Sequence, residues 1–516
     1  MPDDLAVPQL DEPTLEPAPA GSGPEHGSRR RDRGRPSGLI AWLLVTIAAL
    51  GMLASTPQSA GPDEPVQAAT AWYLSGHGLP PDSITSFDVP LSLVVNPCYA
   101  FVAQQNAGCM PRRSMNQGTF TLSTALVVNY PPPYYWVVGF GERLAAVAGD
   151  EYADIGGRLA SLVLNLGVLL LLSIYMRRRE PFWGTFLLLV STPMAVFLGI
   201  VVNPSGWEIT CGIVMAAALA EAACLRKHVP SESWPRAATA VLVLASLGLS
   251  TARPLGFLWA AGLTVSAIIL APNMNRRMLA RLAAAVAPGI ALGMLWVLTH
   301  PGFFSGTPVS PLSAIQLVRA FGDSLMYFPN RLGPMFGVLG WQDTWMPGLF
   351  ILVNIVAWSA LLTRLPSIRK AAMACGILGV VVVPSAIETA GWAAWPFWWQ
   401  GRYTMPFALG FVLLLLMRSG RLMPRAVSLV SGISLMSLAV MVWVNAARYG
   451  FGLDAEGLPL TLRNPGINYA RLGVSAAVGL LLLLVSGLLL VQAARMKTDP
   501  YSGQEPDYDP LGSNAG

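Results

Sequence analysis

Charge is what this sequence has least of. Only 12% of its 516 residues are Asp, Glu, Lys or Arg, where a soluble globular chain carries about a quarter. A water-facing surface for a chain this long is not built from so few. Histidine is scarcer still, with four residues, and no His, Cys, Asp and Glu spacing matches a dedicated zinc site. Glycine-rich nucleotide signatures are missing, which excludes a nucleotide-driven pump or a nucleotide-sugar domain. Alternating apolar and polar runs are lacking too, and with them a membrane β-barrel. The formal net charge of +5 does not point to nucleic acid, because Lys and Arg cluster beside apolar blocks as membrane topology requires.

What is abundant is apolar: 53% of the chain, in continuous blocks of about 20 residues, the length that spans a bilayer. The fold class is therefore an all-α polytopic membrane protein. Residues 1–38 hold no such block and read as a disordered tail. Residues 39–493 form the transmembrane domain, and 494–516 are again polar. Spans are expected at 39–57, 155–176, 181–202, 206–225, 237–252, 255–271, 282–299, 346–363, 371–390, a tenth after "WWQGRYTMP", 426–445 and 472–493. Basic runs such as "RRRE", "NRRMLAR" and "RSGRLMPR" order these into about twelve helices with both termini in the cytoplasm. Arg112, Arg113, Arg253, Arg331 and Arg402 fall on the outer side against that bias. The stretch 134–148 is short for a span and carries Glu142 and Arg143, so it is expected to lie in the interface.

That order makes 58–153 and 300–345 the long outer loops. Cys98 and Cys109 both lie in the first, on the oxidising side, and are expected to form a disulfide. Cys211, Cys224 and Cys375 read as packing residues.

Polar groups at the outer surface are the candidates for chemistry. Asp63 and Glu64 stand between Pro62 and Pro65 at the start of the first outer loop. One of them caps the following helix on the simplest reading, with Asp63 as N-cap; the alternative makes one a general base near an acceptor hydroxyl. Gln400, Arg402 and Tyr403 offer donors at the mouth of the tenth span, and Arg402 suits a phosphate. Arg253, in "STARPLG", binds lipid phosphate or snorkels to headgroups. Asn203 and Glu208 flank the start of the fourth span, where an intramembrane acid is a functional candidate. Asp343, in "GVLGWQDTWMP", meets a sugar hydroxyl or metal, or caps the eighth span, which is the simpler reading. No cofactor is required by these residues, and a divalent metal stays open.

Taken in order, "PDEPVQAATAWYLSGHG", "NYPPPYYW", "NPSGWE", "GVLGWQDTWMP" and "WWQGRYTMP" resemble the bacterial membrane protein family called domain of unknown function 2142, over about residues 39 to 493. Members of that family often carry His where this chain has Gln67, and often an Asp where it has "NPSGWE". The family is similar to the GT-C glycosyltransferases. That resemblance implies a transferase in the bacterial cytoplasmic membrane. It would move a sugar from a polyprenyl-phosphate carrier to an envelope glycan, lipid or protein, with inversion at the anomeric carbon. Asp63 or Glu64 would be the base, Asp63 by preference, and Arg402 or Arg253 would hold the phosphate. A transporter or flippase of lipid-linked sugars and a non-catalytic scaffold are the competing classes.

Overall fold

A computed structural model describes residues 37–78, 86–111, 118–122, 130–223, 236–271, 274–300, 312–362, 374–393, 396–419, 424–454, 459 and 469–496. Most of both polar terminal tails, Arg112, Arg113, Cys224 and the basic segments 226–228 and 364–370 lie outside these residues.

Every apolar block expected to span is helical. The chain begins with α1 (Gly38–Ser55), α2 (Glu64–His77) and the single turn α3 (Leu91–Val94). These are followed by α4 (Pro133–Ala146), α5 (Ala153–Met176), α6 (Trp183–Val190), α7 (Pro193–Ile200) and α8 (Pro204–Ala222). Next come α9 (Arg236–Ser250), α10 (Gly256–Leu270), α11 (Arg276–Thr299), α12 (Ala314–Met326), α13 (Phe328–Gly337) and α14 (Gly348–Leu362). The last are α15 (Ala374–Ala390), α16 (Met405–Ser419), α17 (Pro424–Phe451) and α18 (Tyr469–Arg495). Five of these, α1, α5 with the turn before it, α11, α17 and α18, are long and apolar enough to cross a bilayer. Two short antiparallel pairs, Phe87–Pro90 with Thr119–Leu122 and Val338–Leu339 with Thr344–Trp345, complete the regular structure.

The block expected as one span at 181–202 is instead two helices meeting at 76°. The cause is "STP": Pro193 cannot continue the first helix, and Thr192 starts the second by accepting from Ala195 N–H at 3.3 Å. The eleventh block also departs from expectation. Its helix runs on to Phe451, so Arg448 lies in a helix and not in a loop.

The end of α1, the start of α5, the start of α8, the α9–α10 turn and the start of α16 converge through the contacts described below, and the end of α17 joins them where Asn445 Nδ2 donates to Ser55 Oγ at 2.8 Å. The opposite ends of α5 and α8 meet separately, where Arg179 and the Tyr175 hydroxyl both bind Glu221.

Packing near the first set of ends is close because glycine permits it. A Cβ at Gly139 of α4 would stand 2.0 Å from the Ala71 carbonyl oxygen of α2. One at Gly156 of α5 would stand 2.2 Å from the Gly141 carbonyl. Helix α4 is thus pressed between α2 and α5, with Tyr134, Tyr135, Val138 and Glu142 buried and Trp136, Phe140, Leu144 and Val147 exposed. The expected disulfide is present: Cys98 and Cys109 are bonded, Cα to Cα 6.2 Å.

Candidate functional site

The Asp63–Glu64 pair divides into two quite different roles. Glu64 is buried, and its carboxylate accepts from four donors. Arg158 Nε reaches Oε1 at 2.8 Å and Nη2 reaches Oε2 at 2.6 Å. Gly61 N–H donates at 2.8 Å and Val202 N–H at 3.0 Å. Arg158 in turn donates to the carbonyls of Thr56 (3.1 Å) and Pro57 (2.7 Å) at the end of α1. Bidentate, charge-assisted pairing of this kind gives both strength and fixed orientation. The clamp joins α1, α2, α5 and the α7–α8 joint.

Asp63 stands at the N-cap position of α2, but its side chain caps nothing. The capping expectation is corrected here. Its backbone is left-handed, φ +61°, which turns the carboxylate away from the helix's own N–H groups. For a non-glycine residue that conformation is uncommon. The turn is imposed by its neighbours: Glu64 is fixed on one side, and Asn203 Nδ2 donates to the Pro62 carbonyl at 2.8 Å on the other. Asn203 Oδ1 meanwhile caps α8 by accepting from Ser205 N–H at 2.9 Å.

The Asp63 side chain is 50% exposed, and a buried arginine meets it: Arg402 Nη2 donates to Oδ2 at 2.7 Å. Arg402 comes from the short turn Gly401–Tyr403 before α16, pressed close because Gly401 lies against the Arg331 carbonyl. Its Nη2 also reaches the Tyr403 hydroxyl at 3.2 Å. Among the described residues, Arg402 Nε and Nη1 and Gln400 Oε1 have no hydrogen-bond partner.

Arg253 joins from the α9–α10 turn. Its Nη1 donates to Ser205 Oγ at 2.8 Å and its Nη2 to the Tyr130 hydroxyl at 2.7 Å. Its guanidinium lies 4.2 Å from the centre of the Tyr403 ring. Burial by itself would raise the Tyr403 phenol, but Arg402 and Arg253 outweigh it and hold the phenol below its ordinary range. A narrow cleft of about 20 Å³ opens beside Tyr403 and Arg253, with Glu208 in its lining.

Asp343 lies apart from this group. It does not cap the eighth span; it accepts from Arg448 Nη2 at 2.9 Å and from Thr344 Oγ1 at 3.1 Å. Arg448 also donates to the carbonyls of Tyr99 (2.8 Å), Val102 (2.9 Å) and Gln105 (2.5 Å). Arg331 pairs with Glu388, whose Oε1 accepts from Trp399 N–H at 2.8 Å. Of the five arginines that ran against the charge bias, Arg331 is thus a structural pin and Arg253 and Arg402 are at the candidate site, while Arg112 and Arg113 lie outside the described residues.

The sequence reading overlooked Arg158, Arg448, Tyr130 and the environment of Glu142. Arg158 and Arg448 had a usable signal, since a basic residue within an apolar helix needs a partner. Glu142 is fully buried in α4, and neither carboxylate oxygen has a hydrogen-bond partner among the described residues. Burial pushes its carboxyl well above the usual range. Among the described residues no three His, Cys, Asp or Glu side chains gather to hold a metal ion.

The arrangement therefore presents one exposed carboxylate, one buried cation with two unfilled donors, and a second cation beside a cleft. Asp63 and Arg402 sit on segments that the ordered motifs supply, and Arg253 comes from "STARPLG". The family model that matches this chain covers residues 44–411, from the first span through the segment bearing Arg402. The chain belongs to the DUF2142 family of predicted membrane proteins. No curated protein and no solved structure matches it. Within the matched range "PDEP" supplies Asp63, "NPSGWE" supplies Asn203 and Glu208, and "WWQGRYTMP" supplies Arg402 and Tyr403. Gln67 accepts from the buried Tyr135 hydroxyl and so serves packing between α2 and α4.

Proposed function

We propose that this protein is an inverting glycosyltransferase of GT-C type. It has about twelve spans with both termini in the cytoplasm of a bacterial cell. It moves a sugar from a polyprenyl-phosphate carrier to an envelope glycan, lipid or protein on the outer face of the cytoplasmic membrane. The observation that carries this reading is the Asp63–Arg402 pair: an exposed carboxylate held by a buried arginine that keeps two donors unfilled. A buried cationic donor without an acceptor is costly, and a phosphate oxygen supplies what it lacks.

In this mechanism the carrier phosphate binds against Arg402, with Arg253 contributing positive potential from beside Tyr403. The acceptor hydroxyl approaches the exposed Asp63 carboxylate, which takes its proton as general base. The acceptor oxygen forms a bond to the anomeric carbon while the bond from that carbon to the phosphate oxygen breaks. Polyprenyl phosphate leaves with the electron pair, and the arginines stabilise the charge that develops on it. Glu64 takes no proton: all its strong acceptor directions are filled, and its part is to fix the turn that carries Asp63.

The test is lipid-intermediate profiling of cells whose only copy carries Asp63→Asn. Accumulation of one polyprenyl-phosphate sugar is expected; an unchanged profile with normal protein levels would overturn the reading. A transporter of lipid-linked sugars draws on one observation, the break between α6 and α7, because interrupted helices line transport paths. That reading predicts full transport in an Asp63→Asn, Glu64→Gln double variant that still folds.

A further inference from the structure

Helix α12 has more apolar surface than the described chain covers. A capping box starts it: Gln316 N–H donates to Ser313 Oγ at 3.4 Å, and Ser313 N–H to Gln316 Oε1 at 2.8 Å. It runs for 13 residues, too few to span a bilayer and marginal as a helix in water without packing. Yet only Ala320 and Ser324 are buried. Ser324 Oγ donates to Glu388 Oε2 at 2.6 Å and accepts from Arg331 Nη2 at 3.0 Å, which fixes this side of α12 against α15 and α13. On the opposite side Ile315, Val318 and Met326 are 82%, 73% and 82% exposed, and nothing among the described residues covers them.

A helix turns by about 100° per residue, which divides the surface of α12 into four sides. Ala320 and Ser324 face the protein. Gln316, Arg319 and Asp323 form a polar side, on which Arg319 and Asp323 pair at 3.9 Å. Leu317, Phe321 and Leu325 lie across from that polar side. Ile315, Val318 and Met326 lie across from the protein side. A helix in water with protein on one flank is polar on its other sides. One in the plane of a bilayer interface has water above, hydrocarbon below and lipid on its free flank, so two further sides are apolar. Helix α12 has the second pattern. Its neighbours suit that depth. Tyr327 and Phe397 are partly exposed, with ring centres 4.7 Å apart, and Phe397 meets Trp392 edge-on at 4.6 Å; aromatic rings gather at headgroup level. The pairing of Arg319 with Asp323 leaves the polar side without net charge, so apolar contact and not headgroup charge draws this helix to lipid.

We propose that α12 lies in the lipid interface at the Asp63–Arg402 end of the bundle, with Ile315 and Val318 against acyl chains. This seating does not depend on whether Asp63 acts as a base. It ties the membrane surface to the candidate site, because the Glu388 carboxylate that binds Ser324 also receives the Trp399 N–H, three residues before Arg402.

The test places a nitroxide at Ile315→Cys, Val318→Cys or Asp323→Cys of the full chain in phosphatidylcholine nanodiscs, with Cys211, Cys224 and Cys375 replaced by alanine. It measures collision with oxygen, which enters hydrocarbon, and with a nickel chelate, which stays in water. The oxygen-to-nickel ratio is expected to be about five-fold or more higher at 315 and 318 than at 323, and to stay so when phosphatidylglycerol is added. Equal ratios at the three sites place the face in water and overturn the seating. A label at 315 or 318 that is immobilised and closed to both reagents overturns it too, since another stretch of the chain or a second copy then covers the face. A difference that appears only with phosphatidylglycerol overturns seating by apolar contact. Hydroxyl-radical footprinting of the unmodified chain needs no variant. Met326 is expected to oxidise about three-fold or more slower in nanodiscs than in the unfolded chain, and equal rates overturn the seating.

Discussion

Arg402 and Asp63 lie 339 residues apart in the chain and touch, Nη2 to Oδ2, at 2.7 Å. One partner is buried and the other half exposed. The pair therefore has a solvent side, where a substrate group can compete for either member. Its two members are expected to respond differently to substitution.

Asp63→Asn keeps an acceptor oxygen for Arg402 but no base. Transfer is expected to fall by about 10²- to 10⁴-fold, the usual contribution of a general base, with a thermal unfolding midpoint close to wild type. Asp63→Ala removes the acceptor as well and leaves Arg402 buried without it. That variant is expected to lose stability in addition to activity. Equal midpoints for the Asn and Ala variants would show that the pair does not hold the turn.

Glu64 and Arg158 form the contrasting case, both within a few per cent of full burial. Breaking a buried pair by removing one charge costs about 3–5 kcal/mol. Glu64→Gln and Arg158→Met are each expected to fall in that range by denaturant titration in detergent. The double variant should cost less than the sum, because neither charge is then stranded. Strict additivity would count against the clamp.

Glu142 carries a pH prediction. In the unfolded chain its carboxyl ionises near about pH 4.3; in the fold, burial moves that ionisation well upward. Between those two values the folded state holds a proton that the unfolded state has released. Stability is therefore lost as pH rises through that window. Glu142→Gln removes the effect. The difference in unfolding midpoint between variant and wild type should grow in the variant's favour from pH 4 to pH 8, and a constant difference would refute the assignment.

The Cys98–Cys109 bond closes a short loop of sequence separation 11. On the chain-entropy estimate it contributes about 3 kcal/mol. Cys98→Ser should lower the unfolding midpoint, and reducing agent should lower the wild type to the same value while leaving the variant unchanged.

Much of this molecule was legible in its sequence, for identifiable reasons. Apolar blocks separated by basic runs located the helices, because bilayer thickness and charge asymmetry act locally along the chain. The break at Pro193 and the extension of α17 past Arg448 were missed. The first turns on a single Ser-Thr-Pro step within an otherwise continuous apolar run. The second follows from Asp343 and three distant carbonyls, which satisfy a charge that would otherwise end the helix. Asp63 and Arg402 were each recognisable as candidates, but their contact was not, since side-chain pairing across 339 residues has no local signature. The caps expected at Asp63 and Asp343 are not made, and each carboxylate accepts from a buried arginine instead.

Glu64 is adjacent to Asp63, and its four bonds come from three separate regions of the chain. The orientation of the exposed acid is thus inherited from the buried one. Across relatives, positions 64 and 158 should change together or not at all. A lineage that loses the arginine at 158 should show drift at 63 soon afterwards, even though residues 63 and 158 need never touch.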